Sequence, residues 1–505
     1  MGDDRQGGSE STPRRLAPFF RNLGFTVLAQ VVVAAGGLLL ARLLARETGT
    51  AGFASYSLVK QAVNLFFPIV TVGLVGGLPR YLALPAEADD PGPSAYLEAA
   101  VLICGAATMV ACGLVLALPG PTAAAFFGDE DATDLVWAFA GLLGATSVFY
   151  LAFGWFRGRV RMRAAGLLQM AGFGIVPPGV VLAFPERPVD ELIGLMALGL
   201  AVPSLAVVAW PLVRSPAGRG RRRRATARRS LFGYGHRRVP GELAQLGLFA
   251  LVAPLAAHVG SSTDVAFLAA GQQVLAMLSL AVLPVGLLLL PALTRIWVTD
   301  REAASRHVAS LSALSVHMAL FVSLQTVLYA DIAVRAWLGP GFDGAGAVVR
   351  VTVAPAAAFA VYLMLRSVLD AVAVTSYNSR SNLVAVAVFG LTACVSLGLD
   401  LGRPVMCVAW SFALGVATQG ALTLATVHRM FGLRIADYGL RMAVPAALAA
   451  GVVGAALRPS IDGSSAELPL LVALQLVLAT AFVGSQFAAG AGWTRLVSER
   501  MFAPR

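Results

Sequence analysis

The chain has 505 residues, of which 58% are hydrophobic and only 13% charged, and its formal net charge is +11. So low a charged fraction excludes a soluble protein of this length, whose surface would need many more charges. The apolar residues form solid runs of about twenty, the length that crosses a bilayer as a helix, and not the alternating segments of a membrane β-barrel. The composition therefore predicts an all-α polytopic membrane protein.

Fourteen membrane-spanning helices are predicted. They cover residues 20–44, 55–84, 95–118, 133–156, 165–184, 190–213, 241–258, 264–293, 307–334, 347–372, 382–401, 404–427, 438–457 and 467–489. This pattern divides the chain into a tail at 1–19, a six-helix N-terminal lobe at 20–213, a basic linker at 214–240, a six-helix C-terminal lobe at 241–427, an extra helix pair at 428–489 and a second tail at 490–505.

The arginines predict the orientation of these spans. With the N-terminus in the cytoplasm, 29 arginines lie on the cytoplasmic side and seven on the other, a strong positive-inside bias. Ten arginines lie in the basic linker, between Arg214 and Arg238, and this stretch contains no acidic residue. Because the linker joins two apolar spans, we interpret it as a cytoplasmic loop on anionic lipid and expect no nucleic-acid partner. Phosphate binding or partner docking is the alternative. Both termini are predicted to be cytoplasmic, in a multi-pass protein of the cell membrane.

The sequence contains no catalytic or cofactor motif. The outer connections are short, so none can house a catalytic domain, and no phosphate-binding loop, HExxH, CxxC or GxSxG pattern occurs. The four cysteines lie within apolar spans, where they act as small hydrophobic residues. We therefore expect that the protein is not an enzyme and that it binds neither a cofactor nor a metal.

Polar residues inside two spans are candidates for a functional site. On the second span Lys60, Gln61 and Asn64 recur at helical spacing on one face, which must turn toward a protein interior or a wet cavity. Lys60 is the only lysine of the chain, and snorkelling to the outer interface is the alternative to a role in a cavity. On the tenth span Arg366 and Asp370 are four residues apart and able to pair, so a structural ion pair is the alternative to a substrate site.

The two halves of the chain resemble each other. Residues 53–81 align with 266–296, which sets Gln61 beside Gln273 and repeats a VGL tripeptide, a proline and an arginine. Such a repeat predicts two lobes related by a pseudo-twofold axis along the membrane normal, with a cavity between them. Chance similarity of two apolar helices is the alternative. Gln272 and Gln273 are further candidates for substrate binding, although interhelical hydrogen bonds are the commoner use of such groups.

Four stretches have the glycine, proline and apolar spacing of one family. They are GTAGFASYSLVKQAVNLFFPIVTVGLVGGLPRYLAL at 49–84, WFRGRVRMRAAG at 155–166, DVAFLAAGQQVLAMLSLAVLPVGLLLLPALTRI at 264–296 and ADIAVRAWLGPGFDGAGAVVRVTVAPAAAFAVYLMLRSVLDA at 330–371. Over most of residues 20–430 the chain resembles the polysaccharide flippases, the Wzx-type branch of the multidrug/oligosaccharidyl-lipid/polysaccharide exporter superfamily. It departs from them at 374–382, VTSYNSRSN, where the family often has a short Gly-Lys turn. It also lacks the Arg-Asp signature in the first span of the superfamily's lipid II flippases.

The resemblance implies alternating access that moves a lipid-linked oligosaccharide across the membrane for cell-surface polysaccharide assembly. It also implies a cationic central cavity, in which Lys60 and Arg366 can stabilise the doubly charged polyprenyl-diphosphate headgroup. Gln61, Asn64, Gln272 and Gln273 complete the candidate site.

Asp370 is the candidate coupling residue. Glycosyltransferases or the polymerase of the same pathway are the implied protein partners. A cation-coupled drug antiporter of the same superfamily is the alternative function, and a membrane enzyme of glycan polymerisation is a more distant one.

Overall fold

The computed structural model describes residues 12–83, 91–214, 221–277, 297, 300–372, 377–462, 464 and 466–494. The helices of the first half are α1 (Thr12–Glu47), α2 (Gly49–Thr71), α3 (Leu74–Ala83), α4 (Pro93–Ala117), α5 (Pro119–Phe127), α6 (Thr133–Gly158), α7 (Met162–Gln169), α8 (Val176–Ala183) and α9 (Val189–Val213). α10 (Arg221–Gly235) lies in the basic linker. The helices of the second half are α11 (Val239–Ala250), α12 (Val252–Val259), α13 (262–277), α14 (Arg301–Leu338), α15 (Gly346–Val353), α16 (Ala356–Val372), α17 (Tyr377–Gly398), α18 (Pro404–Phe431), α19 (Leu440–Leu457) and α20 (Glu467–Ala488).

The helices confirm the all-α polytopic class. In the described ranges ten helices are long and apolar enough to cross a membrane, or thirteen spans when each of three bent helix pairs is counted as one. These thirteen match thirteen of the fourteen predicted spans in order. The other, predicted at 264–293, begins as α13 and continues outside the described residues. Which side is cytoplasmic stays a prediction.

Three spans are bent where the helical hydrogen bonding is interrupted. α2 and α3 meet at 43°, across Val72 and Gly73, whose φ angles of 48° and 63° are left-handed. A Cβ on Gly73 would lie 2.6 Å from the carbonyl oxygen of Gly235, so only glycine fits there. α11 and α12 meet at 42°, and the third pair, which ends in α16, meets at 47° beside Pro355, a residue that cannot donate to the helix.

The two halves share a core at one end of the molecule. A single cluster of buried side chains joins them where α1 ends and α2 begins, and it includes Phe53 and Phe139 of the first half and Phe342 and Phe412 of the second. We call this the joined end. At the opposite end the described side chains form separate clusters, one in the first half around Phe149 and one in the second. We call it the split end, and the arginine count predicts that it is cytoplasmic.

The basic linker was interpreted as a loop, but residues 221–235 within it are helical; its place on the cytoplasmic side and on anionic lipid stays a prediction. Residues 221–235 form α10, which packs on α3 and α4 at the split end. Ala227 and Leu231, one turn apart, are fully buried, and Nε of Arg224 lies 3.0 Å from Oε2 of Glu98. The helix forms because arginine has a good helix propensity and because apolar residues at i and i+4 give it one face to bury.

The extra helix pair packs against a polar stripe on α14. The stripe pairs Gln325 with Gln475, the Tyr329 hydroxyl with the Gly454 carbonyl, Asp331 with Arg458, and Arg335 with Asp462 and Glu467. The α19–α20 pair is thus attached to α14 by hydrogen bonds and ion pairs as well as by apolar contact.

His317 extends this stripe toward the split end, where it is fully buried. Nδ1 accepts a hydrogen bond from Nε1 of Trp493 at 3.0 Å, so the proton must be on Nε2, which donates to the carbonyl of Tyr438 at 2.9 Å. His317 is therefore a neutral structural group that links α14 to the segments before α19 and after α20.

Candidate functional site

A cavity of about 320 Å³ lies between the two halves. Its wall is formed by α1 and α2 of the first half and by α11, α13, α16 and α18 of the second. Lys60 is about 16 Å along α2 from the helix start at a rise of 1.5 Å per residue, in the half of the bent α2–α3 span nearer the joined end. All of the residues predicted to bind substrate line this one cavity, namely Lys60, Gln61, Asn64, Gln272, Gln273 and Arg366.

Lys60 and Arg366 give the cavity a positive charge. Nζ of Lys60 is 3.5 Å from Oε1 of Gln273, which is at best a weak hydrogen bond, and the Arg366 guanidinium lies 5.8 Å from the centre of the Tyr362 ring. No carboxylate is among the described residues that line the cavity. The stretch 278–296, outside the described residues, contains no acidic residue in its sequence. The two cations therefore have no carboxylate among the described residues that line the cavity.

A chain of amides crosses the cavity wall from α2 to α13 and α11. Nδ2 of Asn64 donates to Oε1 of Gln61 at 3.2 Å, and Nε2 of Gln61 donates to Oε1 of Gln272 at 3.1 Å. Nε2 of Gln272 then donates to the carbonyl of Phe249 at 2.9 Å. Because a backbone carbonyl only accepts, it fixes the direction of the whole chain. The repeat sets Gln61 beside Gln273, whereas in the structure Gln61 contacts Gln272 and Lys60 contacts Gln273, so the two repeat segments meet at the cavity but one residue out of the aligned position.

Asp370 does not pair with Arg366, so the ion pair that their spacing allowed is not formed. Asp370 Oδ1 instead accepts a hydrogen bond from Nδ2 of Asn378 at 2.8 Å, and the same nitrogen donates to the Arg366 carbonyl at 3.0 Å. Asn378, on α17, donates to the carboxylate, so the Arg366 guanidinium has no carboxylate partner among the described residues. Asp370 itself is not part of the cavity wall.

Tyr56 and Gln419 are among the lining residues that the sequence analysis did not single out. Nε2 of Gln419 donates to Oδ1 of Asn382 at 2.8 Å, but its buried Oε1 has no donor among the described residues. The sequence signal for Gln419 was available, since it is an amide in the middle of the predicted span 404–427. Tyr56 gives a weaker signal, because tyrosine is common at membrane interfaces.

The joined end closes the cavity on one side. Nη1 of Arg42 donates to the carbonyls of Ala336 and Trp337 at 3.2 and 2.9 Å, and so caps the last turn of α14. Nε1 of Trp337 donates back to the Leu38 carbonyl at 3.1 Å. One layer further in, the rings of Phe53 and Phe342 meet edge to face with centroids 5.6 Å apart. These contacts tie α1 and α2 to the second half.

Several solved structures of transport proteins have a fold similar to that of this chain. The chain is similar to the lipid II flippase MurJ in an inward closed conformation, with a TM-score of 0.64 and 10% identity over 95% of this chain and 99% of that one. It is also similar to a multidrug resistance MATE family transporter of the MOP superfamily in an inward-facing conformation, with a TM-score of 0.60 and 13% identity over 80% of this chain and 94% of that one.

A mutant of a Vibrio cholerae MATE transporter gives a TM-score of 0.50 and 13% identity over 84% of this chain and 98% of that one. No family model matches the sequence, and no curated protein matches it. At these identities the likeness is one of fold. The fold implied by the exporter resemblance is therefore confirmed, while the Wzx-type branch and the substrate stay predictions.

Proposed function

We propose that this protein is a transporter of the exporter superfamily that moves a lipid-linked oligosaccharide across the membrane by alternating access. The observation that carries the proposal is the composition of the cavity. Its lining contains two cations, six side-chain amides and, among the described residues, no carboxylate. A site of this kind attracts an anion that also presents many hydrogen-bonding groups, and a diphosphate-linked sugar has both.

The diphosphate is the part that Lys60 and Arg366 would hold. Charge-assisted hydrogen bonds to phosphate are about twice as strong as neutral ones, and the surrounding low dielectric strengthens them further. Because neither cation is paired with a carboxylate in the part of the chain that the structure describes, binding the anion would break no ion pair there. The polyprenyl tail would stay in hydrocarbon.

The amides suit the first sugar. Sugar hydroxyls both donate and accept, as do the amide groups of Asn64, Gln245 and Gln273, while the unpartnered Oε1 of Gln419 offers a further acceptor. The cavity volume of about 320 Å³ is at the lower end for ligand sites, which span about 300–1,000 Å³. It suits a headgroup better than a whole oligosaccharide, whose remaining sugars would extend toward the split end.

Alternating access is supported by the unequal ends of the molecule. The halves are joined by a common core at one end, whereas the described side chains of each half form their own core at the other. If the joined end separated and the split end came together, the cavity would open to the opposite side of the membrane. A drug antiporter coupled to a cation is disfavoured, since its cation would need a carboxylate in the cavity.

The test is a complementation experiment in cells that lack the chromosomal gene. Lys60→Gln and Arg366→Ala should let lipid-linked saccharide accumulate while membrane abundance stays near normal. Losing a charge-assisted hydrogen bond should cost about 1.5–3 kcal/mol, roughly ten- to more than a hundredfold in an equilibrium constant. Lys60→Arg should retain part of the activity, because it keeps the charge in the cavity.

The matched control is Arg403→Gln, which removes an exposed arginine far from the cavity and should leave export intact. Full export by Lys60→Gln at normal abundance would refute the role of Lys60. If the complete deletion causes no lipid-linked saccharide to accumulate, the substrate class is wrong, whatever the single variants do.

A further inference from the structure

A second concave site lies outside the central cavity, between α6 and α9 at the split end. We call it the α6/α9 groove; its volume is about 510 Å³. Its charged lining consists of Arg159 and Arg161, in the turn after α6, and Arg214, at the end of α9. No acidic residue is among the described residues that line it.

Two of the three guanidinium groups contact aromatic rings, whereas other arginines of the described chain contact carboxylates. Arg159 lies 5.2 Å from the ring centre of Trp155, and Arg214 lies 3.7 Å from that of Trp210. None of the three forms an ion pair within the described chain, whereas Arg224 does so nearby on α10. A π contact leaves most of the N–H donors of a guanidinium available. The groove therefore holds three positive charges with no acidic residue among its described lining.

The backbone holds two of these arginines in a strained turn. Val160, between Arg159 and Arg161, has a φ of +57°, a left-handed conformation that is rare for a β-branched residue. The turn is closed by hydrogen bonds from the Val160 nitrogen to the Arg157 carbonyl and from the Arg161 nitrogen to the Phe156 carbonyl. Strain of this kind persists where the surroundings enforce it, and it is concentrated at binding sites.

The depth of the groove favours a lipid over a free ion. It lies at the ends of two membrane spans, where phospholipid headgroups are found, and tryptophans are enriched at that level. Trp210 is 62% exposed, and Val202 and Leu205, one to two turns further into the span on α9, are 63% and 52% exposed. An acyl chain can therefore continue along α9 below a headgroup held by the arginines.

We propose that the α6/α9 groove binds one anionic phospholipid, whose headgroup phosphate lies among the guanidinium groups of Arg159, Arg161 and Arg214. Arginine suits this role because its planar donors match the oxygens of a phosphate. The site is separate from the central cavity and does not depend on what that cavity transports.

The test is native mass spectrometry of the full-length protein released from bilayers of phosphatidylglycerol and phosphatidylcholine. The wild type should retain one phosphatidylglycerol in preference to phosphatidylcholine. The triple variant Arg159→Gln/Arg161→Gln/Arg214→Gln should reduce that retention at least tenfold. The matched control, Arg222→Gln/Arg223→Gln/Arg229→Gln, removes the same charge from exposed positions on α10 at the same end and should change it less than twofold.

A charge-preserving variant, Arg159→Lys/Arg161→Lys/Arg214→Lys, covers the case in which the glutamine variant fails to fold, and it should keep a measurable preference for phosphatidylglycerol. Equal losses in the groove variant and the α10 control would overturn the proposal, because they would reveal only diffuse attraction. Equal retention of the two lipids by the wild type would also overturn it. A third outcome would also overturn it. If inorganic phosphate binds the delipidated protein at the same three arginines but displaces no lipid from the lipid-bound protein, the groove is a site for a free anion.

Discussion

Asn378 separates two charges that the sequence places side by side. It donates to Asp370 and to the Arg366 carbonyl, so the carboxylate is engaged on α17 while the guanidinium faces the cavity. The local arrangement keeps the Arg366 charge available to an anion, at the expense of an ion pair that would have neutralised it. Asp370 is therefore placed to support the backbone around Arg366, and its predicted coupling role stays a proposal.

A double-mutant cycle tests this arrangement. Asp370→Ala and Asn378→Ala should each lower the free energy of unfolding, and the coupling energy between them should be about 1 kcal/mol, the net value of one hydrogen bond. The coupling between Asp370→Ala and Arg366→Ala should be close to zero. Thermal unfolding of the purified variants in detergent measures both cycles. A coupling energy larger for Asp370 with Arg366 than for Asp370 with Asn378 would show that Arg366 and Asp370 form an ion pair after all.

Val160 offers a prediction about the backbone. Val160→Gly should raise the stability by about 1 kcal/mol, because glycine adopts a left-handed conformation without the steric cost that a β-branched residue meets. Val213→Gly is the matched control: Val213 is 84% exposed in the right-handed last turn of α9, where glycine should destabilise. The midpoint of thermal unfolding should therefore move in opposite directions. A decrease for both variants would show that the turn at Val160 is not strained.

At this scale the sequence identified the charged and amide residues of the site better than their partners. Lys60, Arg366 and the glutamines stand out because a polar or charged group inside an apolar span is energetically costly and is usually functional. Asn378, the partner of Asp370, did not stand out, because the i, i+4 spacing of Arg366 and Asp370 permits an ion pair without requiring one. Asn378 competes from the next helix, and its proximity depends on how α16 and α17 meet.

Among the elements, α1 and α14 hold the joined end together through Arg42. Arg42→Ala should shift the equilibrium toward opening of that end by about 1 kcal/mol, roughly fivefold in population, since the hydrogen bonds are charge-assisted but exposed to solvent. Spin labels at the exposed positions Ala51 and Asp343 would report the opening as a longer distance in double electron–electron resonance.

The matched control is Arg46→Ala, one turn further along α1, where the side chain is 79% exposed and, within the described chain, forms an ion pair with the adjacent Glu47 alone. It should leave the distance distribution as in the wild type. An unchanged distribution for Arg42→Ala as well would mean that apolar contacts such as Phe53 with Phe342 close the joined end on their own.

The elements themselves were largely predictable, because the span pattern depends only on runs of apolar residues. The exceptions were α5 and α10, which lie between predicted spans, and α10 shows why. Its composition is dominated by arginine, and its buried face contains only two apolar residues one turn apart, too few to give a clear periodicity. The polar partners of α14 were equally hidden, since they lie more than 120 positions away in sequence, as Arg335 does from Asp462 and Glu467.

For the whole molecule, the extra helix pair is predicted to be indispensable to folding. A chain ending at Gly432 would leave His317 and Gln325 of α14 without the partners that follow Gly432, inside the membrane, where each unsatisfied polar group costs several kcal/mol. We expect such a chain to be lost from the membrane or to aggregate in size-exclusion chromatography. A chain ending at Thr494, which keeps α20 and Trp493, should remain monodisperse.

A pair of substitutions separates this stripe from a general need for fourteen spans. Gln325→Leu alone leaves Gln475 without its partner and should destabilise by about 1 kcal/mol, whereas Gln325→Leu combined with Gln475→Leu should restore most of the stability. Normal yield and stability of the chain ending at Gly432 would refute the covering role of α19 and α20.

The shared core of the joined end also has a thermodynamic consequence. The cluster that closes this end is apolar. Opening the joined end therefore exposes hydrocarbon groups to water, and the heat-capacity change of opening is positive. The free-energy difference between the two states must then curve with temperature, and the joined end must be held less tightly in the cold. The resting balance of such a transporter is therefore set in part by temperature, even before any substrate binds.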